Sequence, residues 1–141
     1  MEERINIALR FVREVWNMGN LDCIENFVDD KCKLHGVVLS GTFQGVEFLK
    51  QHVRACRETF SGLHVTIDGI EARNDEVVLH WTASGTHQLS FLGIAATHRV
   101  VTASGTAILR FKGRKMIEQW VDWNTHALLL QLTTVGPNPR K

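Results

Sequence analysis

Three residues near the carboxyl end of the chain, Trp120, Asp122 and Asn124, have the types and spacing that acid–base chemistry needs. They lie in residues 118–124, whose composition favours a β-strand, and alternate residues of a strand point to the same face. An apolar neighbour such as Trp120 tends to raise the pKa of a buried carboxyl group towards the range in which it exchanges protons. The pattern therefore predicts that Asp122 acts as acid and base, with Trp120 and Asn124 beside it on an interior face.

Helical patterns precede this strand. Apolar residues recur at helical spacing in two separate segments, and Gly19 is a natural stop between the first helix and a shorter one. The predicted elements are a helix over residues 2–18, a short helix ending near residue 27, a strand over 33–39, a loop over 40–45 and a helix over 46–59.

The second half of the chain has a β pattern, with predicted strands over residues 63–72, 76–87, 98–111 and 115–124. Long strands that follow helices predict an α+β domain with an antiparallel sheet wrapped over the helices. The presumed inner faces of two strands carry small residues, which would leave room instead of filling it. These residues are Ala83, Gly85, Gly105 and Ala107, and they predict a pocket.

The composition is that of one ordinary globular domain over residues 1–141, with a loose tail over 133–141. Hydrophobic residues make up 44% of the chain and charged residues 22%. A net charge of +1, without a basic stripe, argues against nucleic acid as a partner. The chain contains no apolar stretch of about 20 residues that would span a membrane. The acidic amino terminus and three cysteines without metal-like spacing favour a cytoplasmic protein.

Several motifs taken together resemble the SnoaL-like polyketide cyclase family, and the resemblance covers nearly the whole chain. It implies a nuclear-transport-factor-2-like (cystatin-like) cone, in which a curved antiparallel sheet encloses a pocket closed by helices. The motifs are Gly41-Thr42-Phe43-Gln44-Gly45, Gly85-Thr86-His87, residues 91–99, Arg110-Phe111, residues 115–123 and residues 128–132.

The resemblance implies enzymes that close the last ring of anthracycline precursors by an intramolecular aldol reaction, without metal or organic cofactor, and relatives tied to hydroxylation. In the cyclases the acid–base residue is an aspartate on the last strand, which Asp122 matches. A family histidine on the preceding strand falls at about Ala107, and Ala96 stands where proline is usual. Asn124 occupies a position that is often aspartate, where it would either hydrogen-bond a substrate oxygen or cap the strand end.

The resemblance also implies further site residues. His87 is placed by the pocket mouth, where we predict that it orients the substrate or supports an oxyanion, and His35 is placed near the same pocket. A satisfied structural position is the alternative for each histidine. Trp16, Trp81 and Trp120 are predicted to form walls of the pocket or of the core. The sequence has no His-x-His or Glu-x-x-His spacing, so no metal site is predicted.

These observations predict a cofactor-free enzyme acting on a small, apolar, carbonyl-bearing compound. Asp122 would remove an acidic α-proton, and the resulting enolate carbon would attack an internal carbonyl group. One alternative is epoxide opening or isomerisation, for which Arg110 is the obvious second group although its strand parity is wrong. Another alternative is a non-catalytic protein that binds a hydrophobic ligand.

The opposite face of the last strand would carry Gln119, Val121 and Trp123. An apolar stripe on the outer face of a sheet is rarely left in water. The pattern therefore predicts a homodimer through this face, with Val121 and Trp123 buried in the contact.

Overall fold

The fold combines helices with one six-stranded sheet in a computed structural model that describes residues 2–36 and 42–133. The elements are α1 (Glu2–Phe11), a π-helical segment (Val12–Asn17), a 3₁₀-helical segment (Leu21–Asn26), β1 (Val28–His35), β2 (Thr42–Gln44), α2 (Val46–Thr59), β3 (Phe60–Arg73), β4 (Glu76–His87), β5 (Val100–Lys112), β6 (Lys115–Trp123) and α3 (Thr125–Thr133).

The sheet has the strand order β2-β1-β6-β5-β4-β3. Strands β3 to β6 pair antiparallel in succession, as the sequence predicts, whereas β1 joins β6 in parallel. The sheet is curved but not closed, and the helices pack on its inner face. The predicted α+β class is confirmed.

Most predicted boundaries agree with the structure, and α2 and β4 have the predicted bounds. The early strand begins five residues before residue 33, and the short strand β2 lies within the predicted loop over residues 40–45. Residues 37–39 of that predicted strand lie outside the described residues, as does the predicted loose tail from residue 134 onward.

The π-helical segment places Trp16 against the sheet. Its last residue, Asn17, bridges to the backbone of β3: its side-chain nitrogen donates to the Val65 carbonyl oxygen at 2.9 Å, and its side-chain oxygen accepts from the Val65 N–H at 2.7 Å. The Arg57 guanidinium, from α2, donates to the carbonyl oxygens of Trp16 at 2.6 Å and Asn17 at 3.0 Å. These bonds satisfy carbonyl groups that the end of a helix leaves without partners. They fix the segment between α2 and β3.

Candidate functional site

A cavity of about 180 Å³ lies between the inner face of the sheet and the helices. The sheet contributes side chains of five strands, β1 and β3 to β6, and α2 and the π-helical segment close the opposite side. Almost all of the lining is apolar, as is usual for sites that bind small molecules. The lining from β4 and β5 includes Leu79, Trp81, Ala83, Gly85, Ala103, Ala107 and Leu109.

The size of the cavity follows from the residues that pair across β4 and β5. A large residue on one strand faces a small one on the other at Leu79–Ala107 and Trp81–Gly105. A Cβ atom at position 105 would clash with the backbone carbonyl oxygen of Asp122 and lie 2.8 Å from the Trp81 ring, so a side chain there would displace both β6 and the indole. Ala83 faces Ala103, and this pair leaves open space. The prediction that small inner-face residues make a pocket is confirmed for Ala83, Gly85 and Ala107, whereas Gly105 is not among the lining residues.

The last strand lies with the opposite face inward from the one predicted. Gln119, Val121 and Trp123 line the cavity, whereas Asp122 is exposed. The cause is a bulge near Ile117. Phe111 pairs with Met116, but the preceding residue of β5, Arg110, pairs with Glu118, so Ile117 is an extra residue in β6.

A shift of one residue moves every following side chain to the other face of a strand. If the register of Phe111 and Met116 had continued, Asp122 would have paired with Gly105 on the inner face. Instead it pairs with Thr106 on the outer face, while Val121 pairs with Ala107. The predictions that Asp122, Trp120 and Asn124 face the interior are therefore wrong.

Asn124 lies at the start of α3. Its side-chain oxygen accepts a hydrogen bond from the Ala127 backbone N–H at 2.9 Å, which satisfies one of the free amides at a helix start. Of the two roles predicted for Asn124, the structure therefore favours the cap, although it caps the following helix. The side chain is exposed and is not part of the cavity wall.

Trp120 and His35 meet on the outer face of the sheet. Their rings stack with centroids 5.2 Å apart, and His35 Nε2 lies 2.6 Å from Glu118 Oε2. Arg110 extends this cluster, with ion pairs to Glu118 at 3.5 Å and to Asp75 at 3.2 Å. Neither Trp120 nor His35 lines the cavity, so the prediction that they border the pocket is wrong.

His87 is fully buried at the end of β4, on the predicted inner face. Its Nδ1 accepts a hydrogen bond from the Thr97 backbone N–H at 3.1 Å and lies 3.0 Å from Thr97 Oγ1, so it fixes the loop between β4 and β5. Its Nε2 has no hydrogen-bond partner among the described residues. The ring stacks on Phe60, which lines the cavity, but His87 itself does not. Burial lowers the pKa of His87, against a weaker opposing effect of the Leu89 backbone.

Trp16 and Trp81 line the cavity, so their predicted positions agree with the structure, and their contact with a substrate stays a prediction. Two lining residues on α2, His52 and Cys56, were missed. A signal for them exists, because they lie three and seven residues after Leu49 and so share its helical stripe.

The polar side chains of the described cavity wall are few. Apart from the indole groups they are His52, Cys56, Ser84 and Gln119. Burial raises the pKa of the Cys56 thiol to about 12, so it remains protonated at neutral pH. Burial lowers the pKa of His52, so its imidazole is neutral there.

Within residues 2–36 and 42–133, no group of three or more histidine, cysteine, aspartate or glutamate side chains is arranged to hold a metal ion. None of the helices in the described part of the chain is long and apolar enough to cross a membrane.

The sequence that forms the cavity and the surrounding sheet matches a known family of proteins. The sequence model of the SnoaL-like polyketide cyclases matches residues 6–132, which is most of the chain. The chain belongs to this family. Membership supports a cyclase-like function and an enzyme of the cyclase or isomerase kind. No curated protein sequence matches the chain.

Solved structures of this SnoaL-like fold are similar over almost their whole length. AclR, a candidate hydroxylase from Streptomyces galilaeus, is 26% identical with a TM-score of 0.82, and the match covers 97% of this chain and 87% of AclR. A candidate polyketide cyclase from Acidithiobacillus ferrooxidans is 25% identical with a TM-score of 0.80, over 92% and 94% of the two chains. A protein from Catenulispora acidiphila with a ketosteroid-isomerase-like fold is 14% identical with a TM-score of 0.77, over 92% and 93%, and shows the fold alone.

Proposed function

We propose that the chain is a cofactor-free, cyclase-like enzyme that performs acid–base chemistry on a small, apolar, carbonyl-bearing compound held in the cavity. The observation that carries the proposal is an apolar cavity between the sheet and the helices whose wall includes His52 and Gln119 among few polar side chains. An apolar wall favours a carbon skeleton, and a few polar groups suffice to orient one carbonyl group. Proton transfer by a positioned side chain contributes about 10²–10⁴-fold to a rate.

A second candidate is a non-catalytic protein that binds a hydrophobic ligand. One observation favours it: the residue that faces Ala107 across β5 and β6 is Val121, so both strands present an apolar side chain there. The cyclases that the sequence resembles have a histidine at about position 107. Epoxide opening has less support, because Arg110 is exposed on the outer face and is engaged by Glu118 and Asp75.

Self-association is a further part of the proposal. Val121 and Trp123 line the cavity, so they cannot form the outer stripe predicted for a dimer contact. The outer face carries a different apolar group, in which Val78 is buried and Ile108 and Trp120 are partly exposed. This group supports a homodimer through the outer face of the sheet.

The test uses 2-tetralone, a small apolar ketone with acidic α-protons, as probe. We expect the protein to bind it, as measured by quenching of tryptophan fluorescence, and to accelerate exchange of its α-protons in D₂O above the buffer rate. Ala103→Leu would fill the space beside Ala83 and should reduce both binding and exchange by about tenfold or more. The matched control is Ser104→Leu, at the next residue, which is exposed and absent from the cavity wall.

The two candidate functions give different results. Binding that Ala103→Leu abolishes, without accelerated exchange of any bound ketone, would contradict the enzyme and support the binding protein. Equal effects of Ala103→Leu and Ser104→Leu would contradict the cavity as the site.

A further inference from the structure

One residue of the described cavity wall is a base that is neutral, and so able to accept a proton, at neutral pH. His52 lies on α2, and the remaining titratable side chain of the described wall is Cys56, whose pKa of about 12 keeps its thiol protonated. Carboxylates are absent from the described lining. General acid–base catalysis at neutral pH is most effective with a group that titrates near that pH. By this criterion His52 is the strongest candidate in the wall.

The surroundings of His52 hold its ring in place. It stacks on Phe48 with centroids 6.0 Å apart and ring planes 7° from parallel, while the Trp16 ring is nearly perpendicular to it with the centroids 5.8 Å apart. Its Nε2 lies 3.9 Å from Cys56 Sγ, one helical turn further along α2. A thiol is a weak hydrogen-bond partner, so a substrate can replace this contact at little cost. The imidazole is therefore held in position by its neighbours, while its Nε2 remains able to bind a substrate.

Gln119 offers a hydrogen-bond donor from the sheet side of the cavity. The side chain is buried and its Nε2 lies 3.4 Å from Met116 Sδ. A thioether sulfur is a weak acceptor, and the amide nitrogen carries two hydrogens. An oxygen that gains negative charge would bind this amide far more strongly than the sulfur does. The bulge at Ile117 is what turns Gln119 inward.

We propose that His52 is the proton-transfer residue of this cavity and that Gln119 donates a hydrogen bond to the enolate oxygen of the substrate. The proposal rests on the function proposed above and specifies which groups perform it. It moves the chemistry from Asp122, on the outer face of β6, to two residues of the cavity wall, one on α2 and one on β6.

The step is a proton transfer followed by carbon–carbon bond formation. Neutral His52 takes the α-proton, and the electrons of the C–H bond form an enolate whose oxygen accepts the hydrogen bond from Gln119. The enolate carbon attacks an internal carbonyl carbon, which forms the new C–C bond and leaves an alkoxide. Protonated His52 returns its proton to the alkoxide. Atoms and charge balance without a further reactant.

The test measures α-proton exchange of 2-tetralone by NMR for wild type, His52→Gln and Gln119→Leu. We expect His52→Gln to lower the exchange rate at least about 100-fold and the affinity at most about twofold, because glutamine keeps hydrogen-bonding capacity but cannot take up the proton. Gln119→Leu should lower the rate about 10- to 100-fold. The matched control is His80→Gln, on the outer face of β4, where the histidine is exposed.

A second measurement does not depend on any variant. The wild-type exchange rate should rise with pH and level off above a single midpoint below 6.5, because burial lowers the pKa of His52 from that value. A folded His52→Gln with wild-type rate and pH profile would overturn the role of His52 and leave the proposed enzyme function standing. A wild-type protein that binds ketones without exchanging them would overturn both.

Discussion

His52 illustrates how a weakly polar environment prepares a side chain for proton transfer. The imidazole stacks on Phe48 and lies nearly perpendicular to the Trp16 ring, and neither neighbour carries a charge that would hold it protonated. Burial therefore determines its protonation state, and it keeps the ring neutral at neutral pH. A neutral imidazole that borders an apolar cavity can accept a proton from a weak carbon acid.

Asp122→Asn is expected to leave both 2-tetralone affinity and α-proton exchange within about twofold of wild type. The side chain is exposed on the face of β6 opposite to the cavity, so removing its charge changes nothing that contacts the ligand. Surface substitutions of this kind usually change the free energy of unfolding by less than about 0.5 kcal/mol. A 100-fold loss of exchange in the folded variant would instead restore Asp122 as the acid–base residue.

The stability of the protein is expected to fall as the pH is lowered below about 6.5. Burial lowers the folded-state pKa of both His52 and His87 below 6.5, the usual value for a histidine side chain. The unfolded chain therefore binds protons at a pH where the folded chain does not, so the free energy of unfolding is highest above that pH and decreases as the pH falls.

Urea denaturation at a series of pH values measures this dependence. His52→Gln should reduce the slope between pH 5 and 7, because the variant lacks one of the two imidazoles whose pKa burial lowers. An equal slope in wild type and His52→Gln would contradict the neutral state assigned to His52.

At the scale of elements, the bulge in β6 decides which residues form the site. The sequence was sufficient for the α+β class, for α2 and β4, and for the small residues Ala83 and Ala107 on the inner faces. It was not sufficient for the orientation of β6, because alternation along a strand identifies two faces without saying which is buried. The alternation of residues along β6 also does not reveal that Ile117 is an extra residue.

The helix α3 and the position of His52 beside the cavity could also not be predicted from the sequence, for related reasons. The helix α3 begins at Thr125 and contains three successive leucines, so its apolar residues do not form a clear helical stripe. His52 belongs to the apolar stripe of α2, but a histidine in such a stripe does not by itself indicate a cavity. Only the sheet on the opposite side shows that this part of α2 borders open space.

The bridge from Asn17 to β3 gives a prediction at the same scale. Asn17→Ala removes both hydrogen bonds to the backbone of Val65 and should lower the free energy of unfolding by about 1–3 kcal/mol. The matched control is Asn26→Ala, at an exposed asparagine, with an expected change below about 0.5 kcal/mol. Urea denaturation measures both, and equal stabilities of the two variants would contradict the bridging role.

At the scale of the whole molecule, the outer face of the sheet is expected to join two copies. Sedimentation equilibrium should give twice the chain mass of 16.0 kDa at micromolar concentration. Trp120→Glu should favour the monomer by placing a charge in the contact, while Leu130→Glu, at an exposed leucine of α3, should not. A wild-type protein that sediments as a monomer would exclude this dimer under those conditions.

The two faces of the sheet thus have separate roles in this account, with ligand chemistry inside the cavity and self-association outside. The most direct test of the central claim is the location of bound 2-tetralone by intermolecular nuclear Overhauser effects. We predict effects between the ligand and the side chains of Ala83, Ala103, Val121 and Trp123, all of which line the cavity. Effects confined to Trp120 and Ile108 on the outer face would contradict it.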